Sequence, residues 1–428
     1  MTTADAMVDV DRLMAELDVL ASKSYTPLPG VTRVLYSEPD LAARSFVKDL
    51  CKNAGLSVRE DPIGNLFARW EGTNPLLAPV GTGSHIDAIP HSGRFDGTVG
   101  VLGALAAIRT LKAVGFQPAR PIELLMFTAE EPTRFGVGCL GSRALSGVLS
   151  HPDLLALRDT DGRPFDEIRS AAGMKGDVAK VRLPPGYFAA FIELHIEQGR
   201  ILEEAGLPIG VVAAIAAPAA LRVSIQGEGG HAGGVLMEGR RDALCAAADL
   251  ILAVESTARG SGSPDSVATT GVCRVHPGAV NSIPELVTLE IDIRDIELVR
   301  RDQMLQAIRV AVSSIAARRQ VAARVDCVSA DPPAQMSDSV MEAIKAACQD
   351  LSLKCLPMIS RAYHDSLFMA RIAPTGMIFI PCREGISHRP DEYASPEAIA
   401  RGVEVLALAI GRLSHSEDAL RDAGGQAR

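Results

Sequence analysis

Apolar residues recur at helical spacing over residues 8–20. They do so again behind Ser37, which stands where an N-cap belongs, and this second helix closes at Gly55 as its C′ residue. Short apolar runs follow at 65–70 and 78–82, then a helical stretch over about 99–114 and a buried-strand run at Ile122–Phe127. Residues 188–194 read as another strand of the same sheet. Strand, glycine-containing loop and helix alternate throughout, the pattern of a sheet covered on both faces.

Near Val212 the pattern changes. A strand-like run at 221–226 precedes a helix at 241–258, strands at 266–275 and 286–294, a helix at 299–317 and a strand at 321–328. That order is βαββαβ, the split-βαβ layout of a small α+β sandwich, occupying 213–329. After Asp331-Pro332-Pro333 the α/β pattern resumes with a helix at 340–351, a strand at 377–380 and a helix at 396–413. The expected organisation is an α/β domain, residues 1–212 and 330–428, interrupted by an inserted sandwich. Residues 414–428 read as a polar, frayed tail.

Length and charge narrow the function. At 428 residues the chain is long for one domain, which agrees with the interruption. Lys and Arg number 43 against 52 Asp and Glu, a net charge of −9 that argues against nucleic acid or an anionic membrane as partner. No apolar run nears the roughly 18 residues of a spanning helix. The start, Met1 to Asp18, carries acids and lacks the basic opening of a signal peptide. Eight cysteines (Cys51, Cys139, Cys245, Cys273, Cys327, Cys348, Cys355, Cys382) form no CxxC pair. They are expected as reduced, mostly packed thiols, which points to the cytoplasm.

Candidate chemistry gathers at strand ends. Gly81-Thr82-Gly83-Ser84-His85-Ile86-Asp87 leads on to Gly93-Arg94-Phe95-Asp96-Gly97, at the carboxyl edge where open α/β sheets place their sites. His85 and Asp96 can face a cation, with Asp87 accepting the imidazole's other N–H; alone, a His-x-Asp is equally a turn feature. Glu130 and Glu131 stand side by side just past a buried strand. One is suited to bind metal and the other to move a proton, unless the pair is a solvated acidic loop. In Glu193-Leu194-His195-Ile196-Glu197-Gln198-Gly199 the period of two sends Glu193, His195 and Glu197 to one side, so either acid can support His195. His388, in Ser387-His388-Arg389, is by itself more often a surface residue than a ligand. Taken as a set, two His, one Glu and a bridging Asp are N/O ligands for a pair of divalent ions, and the absence of cysteine from these loops argues against a structural zinc cage.

The insertion adds polar outliers. Gly227-Glu228-Gly229-Gly230-His231-Ala232-Gly233-Gly234 presents an imidazole on a glycine-rich turn with no phosphate-loop spacing. Asn281 and Arg294 stand near strand ends. Arg294 can clamp a carboxylate bidentately or pair only with Asp292 or Asp295. Tyr363-His364-Asp365 reads either as a core turn or as a wall of the site.

As a group, these motifs resemble the carbamoylase and ureido-amidohydrolase branch of the dimetal aminopeptidase-like family, from Ser37 to about Leu413. The resemblance implies a mixed-sheet aminopeptidase-like catalytic domain with an inserted lid that also forms a homodimer. It implies two divalent ions, manganese foremost with zinc or cobalt possible, held by His85, Asp96, Glu131, His195 and His388, Asp96 bridging. Glu130 would be the general acid/base with Asp87 beside it. His231, Asn281 and Arg294 would contact substrate from the lid, His231 reaching the partner subunit's site, and Gln198 would line the site. Within the branch, Arg361-Ala362-Tyr363-His364-Asp365-Ser366 replaces a glycine with Tyr363. With the segments 131–136, 139–143 and 377–382, it resembles the members that cleave ureidoglycolate. A phenol there suits a small, polar substrate. The implied reaction is hydrolysis of the ureido C–N bond of (S)-ureidoglycolate to glyoxylate, ammonia and carbon dioxide, a step of purine catabolism through allantoin. N-carbamoyl-L-amino acid or allantoate hydrolysis is the alternative.

Overall fold

A computed structural model describes residues 7–415, and the chain falls into two compact units. One comprises residues up to Ala213, then Gln335–Ser360 and the chain from His364; the other is Ala214–Ala334 with Arg361–Tyr363. The polar tail expected at 414–428 lies outside the described residues beyond His415, where the last helix, Pro396–His415, is still regular. Among the described residues no helix is long and apolar enough to cross a membrane.

The first unit is built on a nine-stranded mixed sheet. Its central run, in order, is Ile209–Ile215, Thr375–Ile380, Ala190–Ile196, Val80–His85, Ile122–Phe127, Leu66–Trp70 and Ser57–Glu60. The four strands from Thr375–Ile380 to Ile122–Phe127 run parallel, and the flanking strands are antiparallel. Every residue of those four strands is buried, so both faces need apolar cover. Ile122, Leu124 and Met126 pack into one core under the long helices, among them Thr98–Ala113 and Pro396–His415, while Leu125 and Phe127 enter a second, phenylalanine-rich core. The alternation along one strand thus feeds two layers.

Ser37 caps the helix Glu38–Asn53, and Gly55 follows it at φ +73°, as the sequence implies. The strands expected at 78–82 and 188–194 instead run Val80–His85 and Ala190–Ile196. Gly83, Ser84 and His85 extend the first because they stay in register with Leu125, Met126 and Phe127 of the parallel neighbour, which outweighs their low strand preference. The shift makes His85 the last residue of its strand and His195 the last but one.

The second unit is a four-stranded antiparallel sheet in the order Val267–His276, Leu286–Asp295, Ala217–Gln226 and Ala322–Ala330, with helices Ala243–Arg259 and Leu298–Arg319. Along Leu286–Asp295 burial alternates strictly; Val287, Leu289, Ile291 and Ile293 join Ile308 and Leu250 in one core. The thiols are less uniformly packed than expected. All eight are free, and Cys51, Cys139, Cys348 and Cys382 are buried, but Cys245, Cys273 and Cys327 are exposed, all in this unit.

Candidate metal centre

All four parallel strands end on the same edge, and the loops leaving that edge converge. Asp96 is the meeting point. Its Oδ1 lies 3.4 Å from His85 Nε2 and 3.2 Å from His195 Nε2, and its Oδ2 lies 3.3 Å from His388 Nε2, which is itself 3.3 Å from Glu131 Oε1. The ligand atoms therefore form two groups sharing one carboxylate: His85, Asp96 and His195 on one side, and Asp96, Glu131 and His388 on the other. Asp96 turns one oxygen toward each group.

The imidazoles are held from behind. His195 Nδ1 is 2.9 Å from the Ile196 carbonyl and His85 Nδ1 is 3.1 Å from that of Asp87, so both carry their proton on Nδ1 and leave a lone pair on Nε2. The Gly97 N–H donates to His195 Nε2, in keeping with that tautomer. Two lone pairs facing a buried carboxylate oxygen repel one another unless a cation lies between them. That donor set, nitrogen and oxygen only, fits a divalent ion. Gly97 leaves the space: its φ is +65°, and a Cβ there would lie 2.4 Å from His85 Nε2.

Without a cation, protons are drawn to the cluster. Burial works against charge on His85, but its Asp87 and Asp96 acceptors outweigh that and raise its pKa well above the ordinary value. Burial would likewise raise Asp96, yet the three imidazoles hold it well below the usual carboxylate range. For His388 the Asp96 hydrogen bond dominates and raises its pKa to about 9. Burial, followed by the charge of Asp96, pushes Glu131 up to about 7. Glu130 is raised well above its usual value, first by burial and further by Glu131, Asp365 and Asp96, against the pull of His85. Its Oε2 is 3.8 Å from His85 Nε2, so it stands beside the ligand groups without belonging to either.

Several supports differ from those expected. The Asp87 carboxylate does not take the His85 N–H as its main bond. It accepts the backbone N–H groups of Glu130 and Glu131 at 3.1 and 3.0 Å, because Ala129, at φ +50°, turns both toward it. Neither Glu193 nor Glu197 holds His195: Glu193 accepts from Ser84 and Ser366, and Glu197 accepts the N–H groups of Ile201 and Leu202. His364 is buried, bonded to Ser360 and set edge-on against His195 at 4.5 Å, which gives it a supporting place behind that ring. Gln198 donates to Asp96 Oδ2 at 2.7 Å.

Two contributors had no signal in the sequence. Cys139, expected in none of these loops, folds back so that its thiol donates to Glu130 Oε1 at 3.3 Å and its N–H to the Glu130 carbonyl. Glu392 lies close in sequence to His388, but its partners, Phe95 and Asp96, are some three hundred residues away. Of the nine non-glycine residues with left-handed backbone among those described, Ala129, Cys139, Gln198 and His388 border this site, where such strain commonly collects.

In the inserted unit, a two-residue antiparallel pairing sets His231 opposite Ser282, next to Asn281. His231 Nδ1 accepts the N–H groups of Gly233 and Gly234, both at 3.1 Å, so its remaining nitrogen, Nε2, carries the proton. Arg294 pairs bidentately with Asp292 and also donates to the Arg361 carbonyl, while Asp295 is taken by Arg300 and Ser266. Tyr363 donates its phenol to Asp331 at 3.0 Å.

Residues 81–412 match the model of peptidase family M20/M25/M40. The chain is 52% identical over 414 residues to a ureidoglycolate hydrolase of Oryza sativa subsp. japonica, covering 95% of this chain and 85% of that protein. It is 39% identical to an N-carbamoyl-L-amino acid amidohydrolase of Geobacillus stearothermophilus, covering 96% and 100%. A crystal structure of AtUAH in complex with (S)-hydroxyglycine superposes with a TM-score of 0.88 at 50% identity, covering 96% of this chain and 100% of that one.

Proposed function

This chain belongs to peptidase family M20/M25/M40, and from that premise we propose that it hydrolyses (S)-ureidoglycolate at the ureido C–N bond. The chemistry rests on the placement of Asp96 between two ligand groups with Glu130 beside them and in neither group. The choice of substrate is supported by the 52% identity to ureidoglycolate hydrolases of rice and of Arabidopsis thaliana.

His85, Asp96 and His195 would hold one divalent cation and Asp96, Glu131 and His388 the other, with manganese proposed and zinc or cobalt compatible with the same donors. When bound, such a pair polarises the ureido carbonyl and makes the attacking water more acidic. Glu130 takes that water's proton and returns it to the departing nitrogen. Asp87 fixes the peptide that carries Glu130, and His364 backs His195. Release of ammonia leaves a carbamate that loses carbon dioxide, and the resulting hydroxyglycine collapses to glyoxylate and a second ammonia.

The inserted unit would act as lid and as the surface of a homodimer. In it Arg294 and Asn281 hold the substrate carboxylate, and Tyr363 narrows the pocket. His231 offers its Nε2–H to the developing oxyanion of the partner subunit's site. Gln198 lines the site beside Asp96, and the reaction is placed in the cytoplasm.

A substrate panel tests this. Manganese-loaded protein should release glyoxylate and ammonia from (S)-ureidoglycolate and turn over allantoate or N-carbamoyl-L-amino acids far more slowly. Free amino acid from the carbamoyl substrates, with no glyoxylate from ureidoglycolate, would overturn the assignment.

A further inference from the structure

The Glu392 side chain grips both the Asp96 loop and the segment carrying His388. It is 5% exposed. Its Oε1 accepts the backbone N–H groups of Phe95 and Asp96 at 2.7 and 3.1 Å, and its Oε2 lies 2.9 Å from the Ser387 oxygen, whose single proton goes to one carboxylate at a time. That same Ser387 oxygen lies 2.7 Å from Asp96 Oδ2, the oxygen turned toward His388. One carboxylate thus fixes the Asp96 backbone and, through Ser387, shares with Gln198 the hold on Asp96 Oδ2. The loop makes room for it: a Cβ on Gly93 would fall 2.2 Å from the Glu392 carboxyl carbon.

A bridging carboxylate must present its two oxygens in two directions at once, and nothing in its own torsions prefers that. We propose that Glu392 is a positioning residue for the metal pair, holding Asp96 in its two-sided orientation through Phe95, the Asp96 amide and Ser387. The proposal rests on the metal-binding reading of the five side chains and is independent of the substrate.

The test is titration of the metal-free full-length protein with Mn2+, read as affinity and stoichiometry. Glu392→Ala should weaken the ion bound by Asp96, Glu131 and His388 by about 10- to 100-fold, the usual effect of losing such an outer support. Glu392→Gln should stay near wild type. Its amide oxygen can accept the same two N–H groups, while its NH2 donates to Ser387 and leaves that hydroxyl free to donate to Asp96. A role confined to packing would lower the melting temperature of the metal-free variants without this split in affinity. Wild-type affinity in Glu392→Ala, or equal losses in the Ala and Gln variants, would overturn the proposal. If Glu392→Ala does not fold, Ser387→Ala removes only the linking hydroxyl; a weakened second ion supports the proposal and unchanged affinity overturns it. A wild-type protein that binds no Mn2+ would instead refute the metal reading beneath it, and glyoxylate release separately judges the substrate.

Discussion

In the proposed mechanism acid–base work and ligation fall to neighbouring residues, Glu130 and Glu131, and the two can be separated by substitution. Glu130→Gln should keep both ions while lowering kcat by about 100- to 10,000-fold, the span over which a positioned acid–base group contributes. Kinetics paired with metal analysis would check it, and full activity in the variant would contradict the role. Asp365 makes a second residue-level prediction. It is buried with Oδ2 unpartnered among the described residues and its other oxygen 2.5 Å from the Ser142 hydroxyl. Burial first, then Glu193, raises its pKa from 3.8 to about 8. Between those values the folded chain keeps a proton that the unfolded chain has released, so this group's contribution to stability is full below pH ~4 and declines as pH rises toward 8. Metal-free Asp365→Asn should therefore show a flatter denaturation midpoint between pH 5 and 8 than wild type; equal slopes would contradict it. In the sequence, His85, Glu130, Glu131 and His195 stand out at or just past strand ends, whereas Asp96 and His388 lie in loops and enter the ligand set only with the others and through the resemblance. Cys139 and Glu392 are not legible there, since what matters about them is a fold-back and a contact across the whole chain.

Elements with a strong period were readable and those that depend on tertiary cover were not. The βαββαβ order and the long helices follow from alternation and amphipathic spacing, and each was found within a few residues of its expected bounds. The short helices Leu140–Ser146, His151–Ala156 and Phe165–Ala171 are too brief to show a period. They exist because Leu140, Leu154 and Phe165 fill the second core beneath the sheet. The edge strand Ser57–Glu60, mostly exposed, likewise lacks a pattern. At this scale the loop entering helix Thr98–Ala113 is critical. Gly97→Ala should place a methyl against His85 Nε2 and reduce metal retained after gel filtration, with secondary structure by circular dichroism unchanged. Undiminished metal content would contradict the fit. Asp242, which caps the helix Ala243–Arg259 by accepting from Leu244 and Cys245, should cost about 1 kcal/mol of unfolding free energy when changed to Ala, measured by denaturant titration.

For the whole molecule, an insertion between strands gives one chain two jobs. The sheet edge of the first unit assembles the ligand groups, while in the second unit Arg294 stands on the four-stranded sheet and His231 lies on a separate two-stranded pairing next to Asn281. The proposed enzyme is a dimer, whose mass in solution should be about twice the 45.2 kDa of the chain. Sedimentation of a monomer at assay concentration would remove the partner-subunit role of His231. Beneath both units' roles lies one claim, that five side chains from four loops and strand ends cage two cations around Asp96. Anomalous diffraction from a zinc-loaded crystal tests it most directly. The account predicts two peaks, one within bonding distance of His85, Asp96 and His195 and the other of Asp96, Glu131 and His388. A map with no peak at Asp96, or with a single ion there that leaves Glu131 and His388 unengaged, would contradict it.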